Sequence, residues 1–144
     1  MAKICERTDR ELDKYGAISY ENEMTVTEAI ARGAVEAAEN LNAKAIIVLT
    51  ESGSTARNIR KSFPTAKIIA LTTNETTANQ LMLSRGVYPV VVNEVKEAEA
   101  FFKVALDVAA KQEFIQDGDI VVLTAGINSA VGTTNTIKVE VIKK

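Results

Sequence analysis

Histidine and tryptophan are absent from this chain, cysteine occurs once and proline only twice. Without histidine, and with a single thiol, the common zinc sites and the Ser–His and Cys–His catalytic pairs are excluded. The lone Cys5 forms no internal disulfide, which suits a reducing compartment. Aromatic residues make up 5% of the chain, too few for a base-stacking platform. The formal charge is −2, so no global basic field is there to hold nucleic acid. No apolar run is long enough to span a bilayer. The N-terminus, MAKICERTDRELDKY, is charged throughout and has no apolar signal core. These absences predict a cytoplasmic protein with no nucleic-acid and no membrane partner.

What is present fits one soluble domain. The 144 residues are 47% apolar and 25% charged, enough for a real hydrophobic core. Residues 1–24 divide off as a charged helix with few apolar positions, followed by an aperiodic linker; the domain proper is expected over 25–144. Thr25 and Glu28 form a capping-box pair that predicts a helix start, and Ile30, Ala34, Ala37, Ala38 and Leu41 recur at helical spacing up to Leu41. Ala45–Leu49 is a continuous apolar run, and similar runs lie at Ile68–Leu71, Val87–Val92 and Ile120–Leu123. Short, β-branched runs bounded by turn residues read as parallel strands buried on both faces. Helical patterns alternate with them: about Ser54 to Ser62, stopped before Pro64; about Asn74 to Arg85, stopped by Gly86; and about Val95 to Glu113, with a stripe of Ala98, Phe101, Phe102, Ala105 and Ala109.

The last strand differs. Thr136–Ile142 alternates apolar and charged residues, as a half-buried strand does. The connection from Ala125 to Thr136 is too short for a crossover helix, so this strand should be antiparallel and near an edge. Pro89 cannot donate to an inner ladder and puts the third strand at the other edge. The predicted fold is α/β, a three-layer α/β/α sandwich with a five-stranded, mostly parallel sheet of order 3-2-1-4-5 and strand 5 antiparallel.

Chemistry concentrates in two loops. Thr50-Glu51-Ser52-Gly53-Ser54-Thr55 joins the first strand to a helix and holds one glycine and four hydroxyls. A loop that opens a helix presents unpaired backbone N–H groups and the positive end of the helix dipole, a setting for phosphate or carboxylate. The second loop, Gly126–Asn135, ends in Gly132-Thr133-Thr134-Asn135. In the order 3-2-1-4-5 these loops follow strands 1 and 4, where the direction of the crossovers reverses and ligands favour the carboxyl ends of the strands. Ser, Thr and Gly also cap helices and make turns, and on the residues alone both readings stand. Arg57, one turn into the helix, either completes an anion site or lies on a solvated face. Asp117 and Asp119 flank Gly118 and read as a turn. Cys5 reads as a packing residue. No nucleophile–base pair and no metal-ligand set can be assembled, so no catalytic and no metal residues are expected.

Several stretches, taken together, resemble the C-terminal domain of pyruvate kinases: AKAIIVLTESGST over Ala43–Thr55, then Pro64 and Ile68–Thr72, Arg85-Gly86-Val87-Tyr88-Pro89, Gly118-Asp119 running into VVLTAG, and Gly132–Val139. MAKICERT at Met1–Thr8 looks like the helix that leaves the catalytic barrel in that family. The resemblance implies a regulatory and oligomerisation domain of an enzyme that converts phosphoenolpyruvate and ADP to pyruvate and ATP in glycolysis. It implies that the active site, with Mg²⁺ and K⁺, belongs to a barrel of the same polypeptide. This chain alone is then expected to be inactive and to hold no cofactor. It implies partners: a small phosphorylated effector held by Thr50–Thr55 and by Gly132, Thr133 and Thr134, and further subunits of a homotetramer. Glu51 and Ser54 stand where relatives responsive to fructose 1,6-bisphosphate often carry a basic residue, and Phe101 stands where they place an Arg. The expected effector is therefore a sugar monophosphate or AMP rather than the bisphosphate. The alternative is an effector-silent structural domain for tetramer assembly.

Overall fold

In the computed structural model the described residues are 24–93, 98–126 and 134–143. The charged helix and linker expected over residues 1–24, with Cys5, lie outside them except for Met24. The first element among the described residues is α1, Val26–Leu41. Its capping box forms as the sequence predicts: the Thr25 hydroxyl accepts from the Glu28 N–H at 3.3 Å, and the Glu28 carboxylate accepts from the Thr25 N–H at 2.9 Å. The bond from the Thr25 N–H, and after it a bond of 2.9 Å that the Thr25 hydroxyl donates to the same carboxylate, hold the Glu28 carboxyl below its ordinary pKa. The helix ends at Asn42 in the left-handed conformation, with φ 50°.

Then follow β1 Ala45–Leu49, α2 Ser54–Lys61, β2 Lys67–Thr72, α3 Glu75–Leu81, β3 Val87–Val91, α4 Ala98–Lys111, β4 Ile120–Ala125 and β5 Thr136–Val141. The sheet order is β3-β2-β1-β4-β5, with β4 and β5 antiparallel and the other pairs parallel. Pro89 sits on the edge strand β3, opposite Ala70. Both edges are where the sequence puts them.

Side chains alternate across the sheet and divide the core in two. Ile46, Val48, Ile68, Ala70 and Val122 pack against α1, α2 and α3 through Ala31, Ala34, Val35, Ala38, Ala56, Ile59 and Leu81. Ala45, Ile47, Ile69, Leu71, Val121 and Leu123 pack on the other face against Phe101, Phe102, Ala105 and Ala109 of α4. Among the described residues three helices thus cover one face and one covers the other. Ile46, Ile47 and Val48 are fully buried, and burial of each such side chain contributes about 1.5–3 kcal/mol. This fixes β1 as the centre of the sheet.

One element is shorter than expected. The pattern predicts a helix to Arg85, but α3 ends at Leu81. Beyond it the backbone tightens to bonds from Leu83 N–H to Gln80 and from Ser84 N–H to Leu81, at 3.3 and 2.9 Å, before Gly86 turns at φ 76°. Two threonines and an asparagine give α3 weak helix propensity, and the last turn unwinds into these shorter bonds. The expected first turn of α4, from Val95, lies outside the described residues.

Candidate functional site

The loop after β1 is built around a change of direction. Thr50 is buried, and its N–H donates to the Leu71 carbonyl at 2.9 Å, continuing the β1–β2 ladder by one bond. The chain then turns through Gly53 at φ 79°. A Cβ there would stand 3.2 Å from the Arg57 guanidinium and 3.2 Å from Leu81 Cδ2. Conformation and close approach therefore both call for glycine. Gly53 is the N-cap of α2 and offers no side-chain cap. Ser52 Oγ instead accepts from the Ser54 N–H, at 3.4 Å.

Neighbouring elements brace this loop. Arg57 neither reaches outward nor lies idle on the helix surface. It folds back, donating to the Ser52 carbonyl at 3.0 Å and to Gln80 Oε1 at 3.3 Å. The Thr77 hydroxyl donates to the Glu51 carbonyl at 2.8 Å. Thr77 is held in turn by the N-cap of α3, where Asn74 Oδ1 accepts from the N–H groups of Thr76 and Thr77 at 2.9 and 3.2 Å. Ser52, Ser54 and the Glu51 side chain remain exposed.

The fourth hydroxyl of the loop goes elsewhere. Thr55 Oγ1 lies 2.7 Å from Thr134 Oγ1, and both side chains are buried. The two loops singled out in the sequence are therefore in direct contact beside the carboxyl ends of β1 and β4, through residues far apart in the chain. Of the second loop, Gly126, Thr134 and Asn135 are described, and the Asn135 N–H closes onto the Ala125 carbonyl at 3.2 Å. Gly132 and Thr133 lie outside the described residues. Thr124, at the end of β4, is fully buried, and its hydroxyl has no hydrogen-bond partner among the described residues. The sequence reading missed it, because one threonine inside an apolar run carries no local signal. It also missed Thr77 and Gln80, which act on the loop from the next helix.

Chemically, the arrangement offers the start of α2, exposed hydroxyls and no acid–base pair. By helix geometry the first N–H groups of α2 have no intrahelical acceptor. Among the described residues no three Cys, Asp or Glu side chains gather as metal ligands. Asp117 and Asp119 do form a turn: Gly118 takes φ 87°, and Asp119 Oδ2 accepts from the Gln116 N–H at 2.8 Å. No helix among the described residues is long and apolar enough to cross a membrane.

Comparison with known proteins agrees with this architecture. The family model described as "Pyruvate kinase, alpha/beta domain" matches residues 28–140. The chain is 40% identical to pyruvate kinase 2 of Synechocystis over 144 residues, covering 99% of this chain and 24% of that protein. It is 38% identical to a pyruvate kinase of Clostridium acetobutylicum, over 99% of this chain and 31% of the relative. A pyruvate kinase of Thermotoga maritima is 36% identical over 96% of this chain, which spans 30% of that enzyme. The chain thus spans about a quarter to a third of the length of these curated relatives.

Proposed function

The chain belongs to the pyruvate kinase α/β-domain family, and from that premise we propose that it is the regulatory and subunit-contact domain of a pyruvate kinase, acting through a phosphorylated small molecule held at the carboxyl ends of β1 and β4. The parent reaction is phosphoryl transfer from phosphoenolpyruvate to ADP, carried by a barrel of the same polypeptide with its own Mg²⁺ and K⁺. In this reading the domain has no step of that chemistry and is inactive alone.

The observation that carries the effector role is the buried contact between Thr55 and Thr134, 2.7 Å apart. It joins the start of α2 to the second hydroxyl-rich loop, so one ligand meets donors from both. The phosphate would lie against Ser52, Gly53, Ser54 and Thr55, with Thr50 and Glu51 shaping the loop and Thr134 beside it; Gly132 and Thr133 belong to this reading through the family resemblance alone. The exposed Glu51 carboxylate disfavours a second phosphate, which supports a sugar monophosphate or AMP. Arg57 is engaged with the loop itself, so it adds field rather than a direct bond.

The subunit contact is assigned to the β5 edge. Val139 and Val141 are 43% and 47% exposed on a strand that, among the described residues, is paired along one side only. Such an edge is a template for another chain unless covered. An effector changes activity only by binding one quaternary arrangement better than another.

A second reading has its own support. Thr55 is already bonded to Thr134, and Arg57 to Ser52 and Gln80. A loop so well satisfied suits an effector-silent assembly domain. Calorimetric titration of the chain with AMP, glucose 6-phosphate, ribose 5-phosphate and fructose 1,6-bisphosphate separates the two. Binding of a monophosphate that weakens in Ser52→Ala/Thr55→Ala supports the effector role. Heat from none of them in the assembled enzyme overturns it. Sedimentation tests the contact: a strict monomer at high concentration counts against the β5 edge.

A further inference from the structure

The two edges of the sheet are not equally open. On β3 the Val92 N–H just past the strand donates to the Thr72 carbonyl at 2.9 Å. Backbone groups alternate in direction along a strand, so those of position 89 face away from β2. Pro89 stands there and removes the N–H that an added strand would need. On β5 the Ile142 N–H donates to the Asp119 carbonyl at 2.9 Å, and the Ile142 carbonyl accepts from the Gly118 N–H at 2.8 Å. The same alternation turns the N–H and C=O groups of Ile137, Val139 and Val141 away from β4. The pairing of β5 with β4 runs without a bulge from Thr136 opposite Ala125 to Val141 opposite Ile120, and no proline interrupts it. β5 therefore lacks the devices that close an edge to further pairing.

Its side chains sort by face. Ile137, Val139 and Val141 share the face of α1, opposite Thr124, Val122 and Ile120. The helix comes close at one point, where a Cβ on Gly33 would stand 3.1 Å from Ile137 Cδ1. Val139 and Val141 stay nearly half exposed beyond it. Lys138 and Glu140 project to the face of α4. They bridge each other at 3.1 Å, and the Lys138 ammonium lies 5.2 Å from the centroid of Phe102. The edge is thus apolar on one face and carries a cation and an anion, two residues apart, on the other.

Resting on the assignment of the subunit contact to β5, we propose that the edge pairs with the β5 of a second copy of this chain, antiparallel and centred on Val139. A two-fold contact uses the same patch on both copies. Residues opposite each other must share a face, so the pairing has to be centred on a residue. Centring on Lys138 sets lysine on lysine, and centring on Glu140 sets carboxylate on carboxylate; both are destabilising. Centring on Ile137 or Val141 shortens the overlap. Centring on Val139 sets Lys138 of each copy opposite Glu140 of the other. It also sets Val139 on its own copy and Ile137 against Val141, and it joins the outward backbone groups of these three residues. The choice does not need either charge to be free. The Lys138–Glu140 bridge within each copy persists, and the four groups alternate in sign across the joined sheet.

The test is sedimentation equilibrium of the 144-residue chain beside two charge reversals, Lys138→Glu and Glu140→Lys. The unchanged chain should dimerise. Each reversal alone should weaken the dimer about tenfold, because two attractive cross-strand pairs become repulsive. Mixing the two variants in equal amounts should restore association as a heterodimer, read by native mass spectrometry, since every opposed pair then joins unlike charges. Each reversal also breaks the bridge within its own copy, and mixing cannot repair that. Weakened variants that do not recover on mixing would place the effect inside each copy and overturn the proposal. A dimer indifferent to both reversals would overturn the register while leaving a subunit contact standing. An unchanged chain that stays monomeric at high concentration would overturn both the register and the β5 contact on which it rests.

Discussion

The two ends of the sheet solve the same backbone problem in different ways. At the carboxyl end the chain leaves β1 through a left-handed residue, and that residue is Gly53. The polar groups around it are then tied down by Arg57, Thr77 and Thr134. At the amino end α2 also finishes in a left-handed residue, but there it is Phe63, and the groups around it are cations set against aromatic rings. One end ties the polar groups of its turn to their neighbours and makes that turn at a glycine. The other keeps a strained residue beside aromatic rings and basic side chains. Strain that persists in a folded protein must be held by its surroundings, and it gathers where function needs a fixed geometry.

Substitutions along the two ends test this contrast. The largest effect is expected at Gly53→Ala, at about 3 kcal/mol in denaturant unfolding. A left-handed alanine costs about 1–2 kcal/mol, and its Cβ would also press on Arg57 and Leu81 at 3.2 Å. Next comes Thr55→Val, about 2 kcal/mol, because it leaves the buried Thr134 hydroxyl without its partner. Adding Thr134→Val should cost little more, and a fully additive double variant would show that the hydroxyls are not coupled. Gly86→Ala should cost only about 1 kcal/mol. It carries the same conformational penalty at φ 76°, but a Cβ there meets nothing within 4 Å. Equal losses at Gly53 and Gly86 would break the claim that the loop after β1 is close-packed. The smallest effect lies away from both ends, at Glu28. Its folded pKa is lowered, first by the bond from the Thr25 N–H and then by the Thr25 hydroxyl. Its contribution is therefore present above the unfolded value of 4.5 and fades as pH falls through the lower folded value. Glu28→Gln should flatten that part of the acid-unfolding profile, and an unchanged profile would remove Glu28 from the account.

Much of the scaffold is legible in the residues. Pro89 marks one edge, the short connection before Thr136 makes β5 antiparallel, and the apolar runs are the three central strands with their β3 neighbour. The two loops were legible as hydroxyl-rich helix openings at a switch point. Their mutual contact was not, because Thr55 and Thr134 meet only once the sheet has brought β1 beside β4. The inward turn of Arg57 was likewise invisible, since Gln80 belongs to a later helix. The gathering of Arg60, Lys67 and Arg85 at the amino ends of β2 and β3 escaped notice for the same reason. Arg60, Lys67 and Arg85 form no charge run, and they converge because parallel pairing sets the amino ends of β2 and β3 side by side. A search for basic residues flanking the starts of adjacent parallel strands would have found them.

The central position of β1 also governs how the chain assembles in time. Ala45 pairs with Lys67 on one side, soon after it in sequence, but with Val121 on the other, near the end of the chain. During synthesis β1, β2 and β3 can associate while one side of the most apolar strand still lacks its neighbour. Pairing across long sequence separation is slow, and an uncovered strand edge is open to other chains meanwhile. Nascent copies of this domain should therefore be most vulnerable to aggregation between the emergence of β3 and that of β4, and a chain arrested after residue 111 should engage chaperones more than one arrested after residue 143.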